Sequence, residues 1–90
     1  MNWKFHLSKE VDKFLAKNRI SKEEVFEIVS KAIKKLQGED INVDIKKLKG
    51  EWLGFYRCRV GDIRVIFEID FDERSVFMER IDYRGGVYRK

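Results

Sequence analysis

The ninety residues contain no proline, one cysteine and one histidine. A single cysteine, Cys58, excludes an intramolecular disulfide and fits a reducing compartment. No apolar run approaches the roughly 20 residues that a membrane-crossing helix requires. The first residues, Met1 to His6, carry no long apolar stretch of the kind found in a signal peptide, so a cytoplasmic protein with no membrane partner is expected. Histidines and carboxylates nowhere adopt metal-ligand spacing, no glycine-rich loop is placed to cradle phosphate, and no nucleophilic triad is visible. The expectation is therefore no metal and no cofactor. Repeats, low-complexity tracts and interdomain linkers are also missing.

What remains is one domain. A chain this short has no room for two cores, so residues 1–90 are expected to form a single unit. The apolar fraction of 43% suffices for one compact core, and a charged fraction of 40% covers it. The net charge of +4 and pI near 9.3 permit a polyanionic partner without requiring one.

Residues 2–7 alternate, with Trp3, Phe5 and Leu7 on one side, and read as a short strand with one buried face. Ser8 can cap a helix whose Val11, Phe14 and Leu15 form a narrow stripe, ending at Asn18-Arg19. Ser21 and Glu24 have capping-box spacing ahead of Val25, Ile28, Val29, Ala32, Ile33 and Leu36, one face of a second helix that Gly38 closes. A lysine-rich connection, 39–51, leads to three strand-like runs at about 52–60, 63–70 and 75–83, with Gly61-Asp62 as a tight turn. The expected fold class is α+β: an N-terminal strand, a helical hairpin, then an antiparallel three-strand meander, all in one twisted sheet with the helices on one face.

Alternation divides the strands into two faces. Ile63, Val65, Phe67 and Ile69 are assigned to the core, with Arg64, Ile66 and Glu68 outward. If Cys58 and Val60 face the core, Arg57 and Arg59 share the open face with Arg64. Guanidinium is planar, permanently charged and offers a fork of donors suited to phosphate oxygens. A solvated face with scattered arginines is the plain alternative, and alternation alone leaves both open. Lys46, Lys47 and Lys49 are candidate RNA-backbone contacts or an ordinary solvated edge. Glu79 shares the parity of Phe77 and Ile81, and so lies at an edge or needs an arginine partner. His6 has no partner motif, and Cys58, Trp3 and Trp52 read as packing residues.

The run Leu48-Lys49-Gly50, then Gly54-Phe55-Tyr56-Arg57-Cys58-Arg59-Val60-Gly61-Asp62-Ile63-Arg64-Val65-Ile66-Phe67, resembles the signature of the RelE/ParE toxin superfamily, RelE-like branch. The ending Tyr83-Arg84-Gly85-Gly86-Val87-Tyr88-Arg89 is similar to that family's C-terminal arginine and tyrosine element. The resemblance implies a toxin of a type II toxin-antitoxin system, an endoribonuclease (mRNA interferase) that cuts mRNA in the ribosomal A site. It implies the ribosome, mRNA and a cognate antitoxin protein as partners, with a toxin-antitoxin heterotetramer as one assembly. Carried over by motif, the catalytic positions fall on Arg57, Arg59, Arg64, Arg84 and Tyr88. A gyrase inhibitor of the ParE branch, or an inactive RNA- or protein-binding relative, is the alternative, and the full set of five positions favours the nuclease.

One departure bears on mechanism. The family's best-studied arrangement has lysines where this chain has Arg57 and Arg59. A lysine among cations can act as a base, whereas arginine, whose guanidinium holds its proton far above neutral pH, cannot. The base is then Tyr88, an acidic residue such as Glu68 or Glu79, or a group outside the protein.

Overall fold

The computed structural model describes residues 3–83. Strand β1 (Lys4–Leu7) runs directly into helix α1 (Lys9–Asn18), because Ser8 serves both. Its hydroxyl oxygen accepts the Val11 N–H at 3.2 Å and its O–H donates to the Glu79 carbonyl at 2.9 Å, which ties the helix start to the far strand. Arg19 adopts the left-handed conformation, φ 55°, and ends α1. Helix α2 (Lys22–Leu36) begins at Ser21, whose oxygen accepts the Glu24 N–H at 3.1 Å, and ends before Gly38 at φ +96°. The two amphipathic faces place Val11, Leu15, Val25, Val29, Ala32 and Ile33 against Cys58, Val65, Phe67, Val76, Met78 and Ile81 of the sheet.

The sheet has five strands in the order β1-β5-β4-β3-β2, where β2 is Asp44–Lys47, β3 Tyr56–Val60, β4 Ile63–Asp70 and β5 Ser75–Tyr83. Strand β1 runs parallel to β5, as the intervening helices allow, and every other neighbouring pair is antiparallel. The turn between β3 and β4 is the expected two residues, with Gly61 at φ +59°, a backbone that a side chain would strain.

Three expectations are corrected. The connection 39–51 contains a strand, β2, paired in register with β3, and a 3-10 turn at Gly50–Trp52. A four-residue edge strand with one apolar side chain, Ile45, shows almost no alternation, so pattern alone passes over it. Strand β3 starts at Tyr56 instead of 52, because Gly54 at φ +95° turns the chain before it.

Ile66 is the third. It does face away from the helices, but it is 0% exposed. The segment after β2 folds back over this face, so Ile66 and Leu48 are buried with Trp52 and Phe55 packed on them. The Leu48 N–H donates to the Phe55 carbonyl at 3.0 Å and closes that loop. Strand β5 also departs from simple alternation. Phe67 pairs with Met78 while Ile66 pairs with Arg80, so Glu79 is an extra residue in a β-bulge. The bulge reverses parity, and the core takes Val76 and Met78 before it and Ile81 after it.

Ile66→Ala is expected to lower unfolding free energy by about 2–5 kcal/mol, the usual range for truncating a buried isoleucine. Urea unfolding checks this. A change below about 0.5 kcal/mol, typical of a solvated position, would return Ile66 to the open surface.

Candidate phosphate-binding face

Cross-strand register decides which side chains meet on the face away from the helices. Arg59 lies opposite Arg64, and Arg57 lies opposite Ile66. On the other side of β4, Ile66 is opposite Arg80 and Arg64 is opposite Asp82. Arg57 and Arg80 therefore flank Ile66 at roughly 10 Å, two interstrand spacings, with Arg64 about 7 Å along the strand. The three arginines expected together from sequence are brought together. Arg80 joins them, and no alternation pattern announced it, because the bulge moved it off the parity that leads into the core.

Like charges directly opposite on a sheet destabilise it. Part of the repulsion is relieved by Asp44, at the register position facing Arg59. Its carboxylate accepts from Arg57 Nη2 at 2.9 Å and from Arg59 Nε at 3.4 Å. Asp44 was not anticipated from sequence, since it lies in the strand that pattern reading missed. Arg80 Nη1 donates to Glu10 of α1 at 2.9 Å, and its guanidinium carbon stands 6.0 Å from the centre of the Trp52 ring, within cation–π range. Asp82 turns its carboxylate to the Tyr83 N–H, at 2.7 Å.

The remaining donors are unequally served. Arg57 Nε, Arg64 Nη1 and Arg80 Nε are each buried with no hydrogen-bond partner among the described residues. A buried donor left unsatisfied costs about 1–3 kcal/mol, more when charged, and native structures tolerate few.

The lysines separate. Lys46 shares this face, opposite Arg57, whereas Lys47 is opposite Tyr56, on the helix-side parity, and Lys49 lies in the following turn. Lys46, Lys47 and Lys49 border a small groove with Leu48. Glu68 is exposed at the far end of the open face, in a hollow with Asp70, Asp72, Ser75 and Phe77, and none of the described ion pairs involves it. Glu79 is the bulged residue, so neither the edge nor the arginine-partner explanation is needed for its parity. His6 faces Phe77 from β1, three strands away from β3. Trp3 and Trp52 pack on the two apolar clusters, as read from sequence. Arg84 and Tyr88 lie outside the described residues. Among those residues, no three His, Cys, Asp or Glu side chains are grouped to hold a metal ion, and no helix is long and apolar enough to cross a membrane.

Cys58 is buried on the core side, and burial pushes its thiol up to about 11, with the Asp44 carboxylate adding to the rise and Arg57 opposing it. The thiolate that nucleophilic chemistry needs is thus disfavoured.

Comparison with known proteins agrees with this architecture. No family model matches the chain. It is 32% identical over 63 residues to toxin RelG of Mycobacterium tuberculosis, covering 70% of this chain and 71% of that protein. It is 39% identical over 46 residues to putative toxin RelE1 of Methanocaldococcus jannaschii, a match that spans 51% of this chain and half of that protein. The archaeal RelE in the RelE–RelB complex from Pyrococcus horikoshii superposes with a TM-score of 0.58 at 25% identity, over 96% of this chain and 99% of that one.

At pH 8, Cys58 in the folded protein is expected to resist iodoacetamide and to be alkylated only as the chain unfolds in urea. Mass spectrometry reads this directly, and rapid labelling without denaturant would show that the thiol is accessible and ionised.

Proposed function

The chain belongs to the RelE-like family of toxins, and on that premise we propose that it is the toxin of a type II toxin-antitoxin system, an endoribonuclease that cleaves mRNA in the ribosomal A site. The observation that carries this reading is the arginine face, where Arg59 stands opposite Arg64 with Arg57 one row away, and Arg59 keeps about half of its side chain exposed. RNA supplies its own nucleophile, the 2′-hydroxyl, so the protein has to align it with the scissile phosphate, stabilise the added negative charge and manage two protons. Arg57, Arg59 and Arg64 meet the developing charge on the phosphorane oxygens from the sheet. Arg84 and Tyr88 complete the set from the C-terminal element, Arg84 on phosphate and Tyr88 in proton transfer or base stacking. Lys46 extends the cationic surface beside Arg57, and Lys47 and Lys49 contact backbone further along the message.

In this mechanism no resident metal is required. The guanidiniums do the electrostatic work that a cation would do, and no bound water has to be activated. Guanidinium is too weak an acid to serve as the base, so that role is proposed for Tyr88, an acidic residue or a group outside the protein. Residues 1–90 act as one domain, in the cytoplasm, with the ribosome and its mRNA as the target.

A bare cluster of this kind binds nucleic acid indiscriminately, so the cell needs a partner that neutralises it. The chain is proposed to pair with a cognate antitoxin carrying an acidic or amphipathic segment over the open face, in a complex that can extend to a heterotetramer. The similar Pyrococcus RelE is seen in complex with RelB. Nothing in the site favours a gyrase inhibitor over the nuclease.

Inducible expression, with growth and transcript cleavage followed together, tests the function. Arrest of growth with cut transcripts is expected, and arrest with intact transcripts would contradict nuclease action. Arg84→Ala is expected to abolish toxicity without altering the melt. Tyr88→Phe separates its two roles, because the ring remains and the hydroxyl goes. A loss of about a hundredfold or more in single-turnover cleavage is expected for a proton-transfer role, with substrate binding little changed. Cleavage at the wild-type rate would remove Tyr88 from the chemistry and turn attention to the acidic residues.

A further inference from the structure

We propose that Asp44 is a positioning residue for RNA cleavage: its carboxylate bridges Arg57 and Arg59 and sets the direction in which Arg59 offers its terminal nitrogens to the scissile phosphate. The inference rests on the nuclease reading above and adds to it a residue that the chain's sequence motifs do not include.

Position comes first. Asp44 opens β2 and pairs with Arg59, while Lys46, two residues on, pairs with Arg57. Asp44 is therefore diagonal to Arg57 on the same face, within reach of a long side chain. Arg57 and Arg59 both turn to it. Arg57 Nη2 donates to Asp44 Oδ1 at 2.9 Å, and Arg59 Nε stands 3.4 Å from Asp44 Oδ2. Each carboxylate oxygen thus serves one arginine. Among the described residues, neither arginine has another acidic partner.

The second point is chemical. Guanidinium carries five N–H donors in a planar fork. Arg59 turns Nε to Asp44, which leaves the two terminal nitrogens at the far end of the fork, the pair suited to bidentate contact with a phosphate. With 49% of its side chain exposed, Arg59 is open to an incoming group. Arg57, at 13%, is held by its surroundings as well as by Asp44. The bridge therefore joins the more open guanidinium to the more enclosed one.

Preorganisation is the third. Asp44 is 47% exposed, and an ion pair so open contributes little to stability. Its effect is on orientation. An exposed arginine has many rotamers to choose from, and one tied at Nε has fewer, so less reorganisation is needed as charge develops on the phosphate. The same carboxylate opposes RNA by its charge. Asp44 thus acts on affinity and on rate in opposite senses, which a residue serving fold stability alone would not do.

The test pairs a binding measurement with single-turnover cleavage of message on purified ribosomes, both with the full chain. The binding probe is a short single-stranded oligoribonucleotide with methylated 2′-hydroxyls, which cannot be cut. Asp44→Asn keeps the size of the side chain and removes its charge. It is expected to bind the probe at least as tightly as wild type, yet to cut about ten- to a hundredfold more slowly at saturating toxin, as a misplaced catalytic group does. Asp44→Glu restores the carboxylate and is expected to recover most of the rate. In a double-mutant cycle with Arg59→Lys, which removes the Nε donor, the combined loss should fall well short of the product of the single losses. Asp44→Asn cutting at the wild-type rate would overturn the proposal, as would Asp44→Glu cutting no faster than Asp44→Asn. A combined loss equal to the product would overturn it too, since Asp44 would then act by itself. Should Asp44→Asn fail to fold, Asp44→Ser takes its place with the same expectations. A wild-type chain that binds the probe yet cuts no message would defeat the nuclease reading and this inference with it. Wild-type cleavage with an unslowed Asp44→Asn would defeat the inference alone.

Discussion

Positive charge crowded on one sheet face is the constraint from which the rest of this structure follows. Strands β3 and β4 pair so that Arg59 meets Arg64, and Arg57 stands one row away. Such an arrangement raises the energy of the free protein, because like charges oppose each other and three donors are shielded from water with no acceptor among the described residues. A sequence under no functional demand would relax it by a single change to a neutral residue. The proposed function gives this crowding a use, since an anion bound to the face would offset the repulsion. Asp44, which accepts from Arg57 and Arg59, relieves the strain at one edge.

The remaining elements keep that face rigid. A dry layer of Val65, Phe67, Val76, Met78 and Cys58 backs the sheet against both helices. On the opposite side, Ile66 and Leu48 under Trp52 and Phe55 form a second, smaller apolar cluster. A guanidinium is useful for transition-state stabilisation only if it does not have to reorganise as charge develops. Burial on both sides of β4 supplies that stiffness. The bulge in β5 then brings Arg80 to the face, and the Ser8 hydrogen bond to the Glu79 carbonyl anchors the bulge to the start of α1.

Much of this was legible in the sequence, for identifiable reasons. The helices could be read because Ser8, Ser21 and Gly38 mark their ends and their apolar positions recur at helical spacing. The long strand β4 carries clear alternation and the turn at Gly61-Asp62 its turn chemistry, while β5 could be read as a strand from its apolar content in spite of the break in parity. Three features were not legible. Strand β2 is held by pairing with β3 and has too few apolar residues to show a period. The burial of Ile66 depends on a loop contributed from 14–18 residues upstream, Leu48 and Trp52, and no local pattern records a cover that arrives from elsewhere. The bulge had a trace in sequence, since Val76 and Met78 differ in parity from Ile81, but a parity change alone does not say which residue is extra. Asp44 and Arg80 were missed as direct consequences of these gaps.

The central claim is that the arginine face is where the anion binds. Side-chain 15N–1H spectra of the arginines, recorded with and without the uncleavable oligoribonucleotide, read their Nε–H groups individually. The account predicts that the Arg57, Arg59 and Arg64 Nε–H resonances move on saturation, while those of Arg19 and Arg74, in turns away from this face, stay in place. Uniform small shifts across all arginines, with no distinct movement at these three, would contradict it.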